Sequence, residues 1–417
     1  MMFSNVSRSR LLPMSLPFRF FGAATGFQIA AWALLLAHSK EVLSFEAGLG
    51  PVFASLHLLT LGVLAMVAIG ATLQLLPVAT RQPVRALWAV KLAWWLLVPG
   101  VAAFTAAAAS YRPDLMGPGA MAVTLALAVY AVLLFLNLRN ARGMRVVVMH
   151  GWAALACLVA LAATGIALVA RYEHGLALDH AAFRSAHVAL AAYGFMGLLA
   201  VGLSQFLLPM LALAPPPPPR TAMATLSAAA VAIVLASFGL TDVASLLGLA
   251  AAAIHVYSME RSLKARLRSP LGSSFLLVRV SWACLLASLA LAALGFPGGT
   301  LLFGLVLVPG WLLTFLLGVM QRILPFLASV HASTAARGMP LISAMTPARL
   351  LGVHAALHVT AVVLLMVSTL TNLPWLVRAG AAAGLAAAAA FALFYGYVLA
   401  KVRTYGNACP PSQPAPA

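Results

Sequence analysis

Apolar runs of about twenty residues, broken by short polar and basic stretches, recur along the whole chain. At about 1.5 Å rise per helical residue, such a run matches the hydrocarbon core of a bilayer. Twelve are marked, at about 18–38, 51–79, 86–108, 118–138, 146–170, 179–212, 221–239, 243–262, 273–295, 298–328, 348–370 and 375–401. The pattern predicts an all-α polytopic membrane protein of about twelve transmembrane helices. Pro77, Pro99, Pro209, Pro309 and Pro325 fall within or near these runs, which membrane helices tolerate when neighbours satisfy the freed carbonyls.

The breaks carry the orientation. With the N-terminus, the even-numbered loops and the C-terminus on one side, that side collects the clusters at Arg139 to Arg145 and Arg261 to Arg268. It also takes Arg8, Arg10, Arg81, Arg85, Arg220, Arg337, Lys401 and Arg403. The other side takes few basic residues and most of the acidic ones, among them Glu41, Glu46, Asp114, Glu173, Asp179 and Asp242. This bias predicts cytoplasmic termini and a bacterial-type inner (plasma) membrane location.

Composition sharpens the picture. The chain of 417 residues is 64% hydrophobic and 8% charged, with a mean hydropathy of +1.04. A net charge of +18 invites a nucleic-acid reading, but the basic residues lie in short loops and form no basic domain. The expected partner is the lipid bilayer, with no nucleic acid. Three cysteines are too few for a disulfide framework: Cys157 and Cys284 fall inside apolar runs, and Cys409 lies in a Pro-rich tail. No small-residue cleavage site follows the first run, so a retained first helix is expected.

A motif repeats. Gly70-Ala-Thr-Leu-Gln74-Leu-Leu-Pro77 ends the second run, Gly202-Leu-Ser-Gln205-Phe-Leu-Leu-Pro209 the sixth, and Gly318-Val-Met-Gln321-Arg-Ile-Leu-Pro325 the tenth. The recurrence every four helices predicts three four-helix units, at 1–140, 141–268 and 269–404, with a disordered tail at 405–417. Because four is even, the units run in the same direction, which disfavours an inverted-repeat transporter. The glutamines are expected to bond between helices near the inner interface.

Histidines supply the candidate chemistry. His57 lies about seven residues in from the outer end of the second run, and His187 about nine in from that of the sixth. Two neutral imidazoles at matching depth on repeat-related helices suit haem ligation, or a copper ion. The third unit has Phe303-Gly304-Leu305 at that depth. His354 and His358 share one helical face at i,i+4, a metal-ligand spacing; the competing reading is interfacial histidines meeting water or headgroups. His38, His174 and His180 lie in or beside outer loops. No intramembrane carboxylate, phosphate-binding loop or nucleophile constellation is evident, so no reaction is assigned.

The residues His57-Leu-Leu-Thr-Leu-Gly62, Gln74-Leu-Leu-Pro77, His187, Gln205, Pro209-Met210, Pro325-Phe326-Leu327 and His331 resemble the haem–copper oxidase catalytic subunit (subunit I) superfamily, especially its short members. More loosely, Pro17-Phe-Arg-Phe-Phe21 resembles the opening of the NnrS family of haem- and copper-containing membrane proteins. The resemblance implies that His57 corresponds to a haem ligand and His187 to a copper ligand. It also implies a histidine pair on helix seven and a His-x-His on helix ten, yet 221–239 and 298–328 contain no histidine. The usual binuclear oxygen-reducing centre therefore has no ligands here. The leading expectation is a haem- or copper-binding membrane protein in respiratory or nitrogen-oxide electron transfer, sensing or cofactor handling. The alternatives are a small-solute transporter and an accessory subunit packed against other respiratory membrane subunits.

Overall fold

The computed structural model describes residues 11–295, 299–333 and 340–407. Arg8, Arg10, Arg337, Cys409 and most of the expected C-terminal tail lie outside them. The described chain is all helical, and twelve of its helices are long and apolar enough to cross a membrane. They are α1 Ser15–Ala37, α2 Pro51–Thr80, α3 Leu87–Ala109, α4 Pro113–Arg139, α5 Arg145–His174 and α6 His180–Ala212. There follow α7 Pro219–Ser237, α8 Thr241–Lys264, α9 Gly272–Leu294, α10 Thr300–His331, α11 Ala348–Thr371 and α12 Pro374–Asn407.

Sequence neighbours pack against one another around a ring, which closes where α12 meets α1. Inside it, α2, α6 and α10 surround a narrow apolar cavity of about 80 Å³, lined among others by Ala71, Leu203 and Leu316. These three are the helices that carry the repeated Gly–Gln–Pro tail, and they are the most buried of the spans. Three peripheral arcs follow: α3–α5 between α2 and α6, α7–α9 between α6 and α10, and α11, α12 and α1 between α10 and α2.

The motif glycines explain the close approach of each inner helix to its predecessor. A Cβ on Gly70 would lie 2.9 Å from the Cβ of Phe20 on α1. One on Gly202 would collide with His150 on α5, and one on Gly318 would lie 2.9 Å from the carbonyl oxygen of Ser274 on α9. Small residues at such crossings let membrane helices gain dispersion contact that lipid does not offer. Ser274 Oγ adds a hydrogen bond of 2.7 Å to the Gly318 carbonyl.

The last carbonyls of α2 and α6 are closed by backbone of the loops that follow α4 and α8. The Ala79 and Thr80 carbonyls accept from the N–H groups of Met144 and Arg142, at 3.0 and 2.9 Å. The Ala212 and Leu213 carbonyls accept from Arg268 and Leu267, at 3.2 and 3.1 Å. Last-turn carbonyls have no partner within their own helix, so such capping removes a real cost at the membrane boundary.

Each inner helix is also interrupted by a π-helical stretch: Leu58–Ala65 in α2, Ala189–Gly197 in α6 and Val306–Leu313 in α10. A π turn holds an extra residue and commonly marks a functional position. The first begins immediately after His57 and the second two residues after His187. Neither was legible as an apolar pattern, because leucine and alanine fill α and π turns equally well.

Candidate functional site

His57 and His187 face the first arc near its outer end. The His57 ring lies against Phe53, with centroids 4.1 Å apart, and meets the edge of Phe104 at 5.3 Å. Its Nδ1 is 3.0 Å from the Phe53 carbonyl; a carbonyl only accepts, so Nδ1 carries the proton and Nε2 is left with a lone pair. His187 reaches the same state by another route. Thr164 Oγ1 donates to the Ala160 and Leu161 carbonyls, so at 3.3 Å it accepts from His187 Nδ1–H. A Cβ on Gly165 would lie 3.3 Å from His187 Cε1, so that glycine leaves room for the ring against α5.

His57 and His187 both keep partial accessibility although their helices belong to the inner triangle. A metal-binding imidazole is usually oriented by an acceptor that takes the proton on its other nitrogen. The donor set fits haem better than a bare ion. Porphyrin supplies four of the iron's ligands and needs only axial imidazoles, while a protein-only metal centre usually needs three or more side chains. Among the described residues no cluster of three or more His, Cys, Asp or Glu is suited to hold a metal.

The inner halves of the arcs hold a feature not visible in the motif alone: each repeated glutamine is paired with an imidazole. Gln74 Nε2 lies 3.1 Å from His331 Nε2, Gln205 Nε2 3.1 Å from His255 Nδ1, and Gln321 Nε2 2.9 Å from His354 Nδ1. The glutamines are at most 8% exposed. The partners come from three different places in the chain, the end of α10, the middle of α8 and the start of α11, so no sequence spacing announces them.

The pair His354 and His358 is fully buried at 0% exposure, not interfacial. Its rings are nearly parallel, at 15°, with centroids 6.3 Å apart. The surroundings set both tautomers. Gln321 Nε2 also donates to the Leu351 carbonyl at 3.2 Å, which identifies it as the amide nitrogen and makes His354 Nδ1 an acceptor. His354 Nε2 therefore bears the proton. Thr314 Oγ1 donates to the Pro309 carbonyl at 2.7 Å, so it accepts from His358 Nε2–H at 2.8 Å, and His358 Nδ1 keeps the lone pair. One unpartnered nitrogen is thus a donor and the other an acceptor. That combination suits a bridging water better than the metal ion the i,i+4 spacing suggests, which needs two lone pairs.

In the second arc a cavity of about 540 Å³ descends beside α6, within the roughly 300–1,000 Å³ range of small-molecule sites. His150 and His255 line it, whereas His57 and His187 do not. In the sequence His150 reads only as a histidine at the start of the fifth run; in the structure it is packed against Gly202, a motif glycine. Compared with known proteins, the chain matches no family model and no curated protein.

Proposed function

We propose that the protein binds haem in a bacterial-type inner membrane, on a scaffold similar to oxidase subunit I, and serves electron transfer, sensing or cofactor handling in respiratory or nitrogen-oxide physiology. The carrying observation is the pair His57 and His187. Both imidazoles have Nδ1–H engaged by an oxygen acceptor and present a lone pair at Nε2. Held between the two imidazoles, haem would supply a one-electron couple. The chain's own residues would do the rest: Phe53 and Thr164 fix the ring orientations, and Phe104 and Gly165 shape the faces against which the rings lie. Histidines missing from 221–239 and 298–328 argue against an oxygen-reducing binuclear centre.

The test is an absorption spectrum, oxidised and reduced, of protein purified in mild detergent from haem-replete cells. A Soret band and haem stoichiometry are expected for wild type. Both should fall strongly in His57→Ala and His187→Ala, and persist in His354→Ala. A colourless preparation, or a band indifferent to both first-arc substitutions, would remove the reading.

The cytoplasmic placement of the termini has its own check. Fused at Asn407, a reporter active only in the periplasm should be silent, and the same reporter inserted after Asp179 should be active. The reverse pattern overturns the orientation.

A further inference from the structure

Arg322 breaks the pattern of the repeat. Three residues before the motif proline, where the other copies have Gln74 and Phe206, the third copy places a guanidinium within the membrane-spanning helix α10. The residue is half-buried, and one of its amino groups donates to the Leu271 carbonyl, just before α9. A Cβ on Gly272 would lie 3.5 Å from that same nitrogen. Arg268, three residues before Leu271, is half-buried too. Its guanidinium donates to the Leu211 carbonyl of α6 at 2.9 Å, and its backbone N–H to the Ala212 carbonyl at 3.2 Å. The α8–α9 loop thus brings two arginines to the junction of α6, α9 and α10, each oriented by a main-chain carbonyl.

Neither has a counter-charge. The chain holds seven acidic side chains, and six of them, Glu41, Glu46, Asp114, Glu173, Asp179 and Asp242, belong to the opposite ends of the helices. The seventh is Glu260, and both its oxygens are taken by Arg279, at 2.6 and 3.0 Å. A carbonyl supplies a dipole but no net charge. An arginine within a membrane helix and without a counter-ion is costly, and it points to a function. A guanidinium carries five N–H donors in a planar fork suited to phosphate, and only one nitrogen of each is bonded to the protein. The surroundings are apolar. Leu213 and Leu267, joined by a backbone hydrogen bond of 3.1 Å, are 52% and 86% exposed. Uncompensated guanidinium beside bare leucine matches a phospholipid, whose phosphate lies at the membrane boundary with its acyl chains alongside.

We infer that Arg268 and Arg322 hold the phosphate of an anionic glycerophospholipid, whose acyl chains cover Leu213 and Leu267. A zwitterionic lipid carries the same phosphate, but its own ammonium group offsets the attraction. Soluble phosphate lacks the chains that would cover the leucines. The site shares no residue with the His57–His187 pair and stands without the haem reading.

The experiment uses delipidated full-length protein in mild detergent. Native mass spectrometry would count bound lipid on titration with phosphatidylglycerol, or with phosphatidylcholine of the same acyl chains. A saturable phosphatidylglycerol site is expected, about fivefold or more tighter than phosphatidylcholine, the effect of a basic group or two at the boundary. Arg268→Gln and Arg322→Gln should each erase most of that preference. Arg220→Gln removes the same charge from the exposed start of α7, at the same end of the bundle, and should leave the preference intact. Equal affinity for the two lipids, or an equal loss of preference in Arg220→Gln, would overturn the assignment. So would displacement of phosphatidylglycerol by millimolar inorganic phosphate, which would make the site one for soluble anions. The lipid comparison in wild type, together with Arg268→Gln in its loop, decides the matter even if Arg322→Gln fails to fold.

Discussion

Gly143→Ala is expected to destabilise the protein by about 2–4 kcal/mol, the cost of overpacking a crowded contact together with loss of buried backbone hydrogen bonds. Gly143 sits between Arg142 and Met144, whose N–H groups cap the last carbonyls of α2 at 2.9 and 3.0 Å. A Cβ there would run into the Ala79 carbonyl. The obstacle is backbone on both sides, so no side-chain rotation relieves it. Thermal unfolding in detergent, with the monodisperse yield as a second measure, checks the result. A midpoint within about 2 °C of wild type would show that the loop yields, and that the capping is not a fixed joint between α2 and the start of α5.

Gln321→Leu should come next in severity. One side chain accepts from Ser273 Oγ at 2.8 Å and donates to the Leu351 carbonyl and to His354 Nδ1. Leucine leaves the carbonyl and the imidazole as buried acceptors without donors, at about 1–3 kcal/mol each. The expected loss is about 3 kcal/mol, and the His354 tautomer is no longer imposed, which nitrogen NMR of labelled histidine would show. Gln205→Leu is the internal comparison, because Gln205 has a single partner in His255. A smaller loss from Gln321→Leu than from Gln205→Leu would mean that the three-way network around Gln321 is not what holds α11 to α10.

The membrane-spanning architecture was legible because hydrocarbon thickness imposes one length on every span. Twelve apolar runs became twelve helices with ends within a few residues, as at 348–370 and Ala348–Thr371. The C-terminal end of α12 was underestimated, because Lys401 and Arg403 look like a loop until they are seen continuing the helix to Asn407. The motif residues Gly70, Gly202 and Gly318 were visible, but their neighbours were not, since contact between helices leaves no mark in a single sequence.

The candidate site divides in the same way. His57 and His187 stood out by depth, and the acceptors that orient them, the Phe53 carbonyl and Thr164, did not. Depth alone misplaced His354 and His358 at the interface. A histidine near a helix end meets water only if nothing covers it, and here Gln321, Thr314 and Phe391 do. His150 had no distinguishing context until Gly202 was seen beneath it.

The π stretch of α2 makes the aim of His57 a matter of counting. Deleting any one residue from Leu58–Ala65 would restore an α register. Everything on the outer side would then swing by about 100° about the helix axis. Composition and hydropathy would be all but unchanged by such a deletion, while the imidazole turned towards a different neighbour.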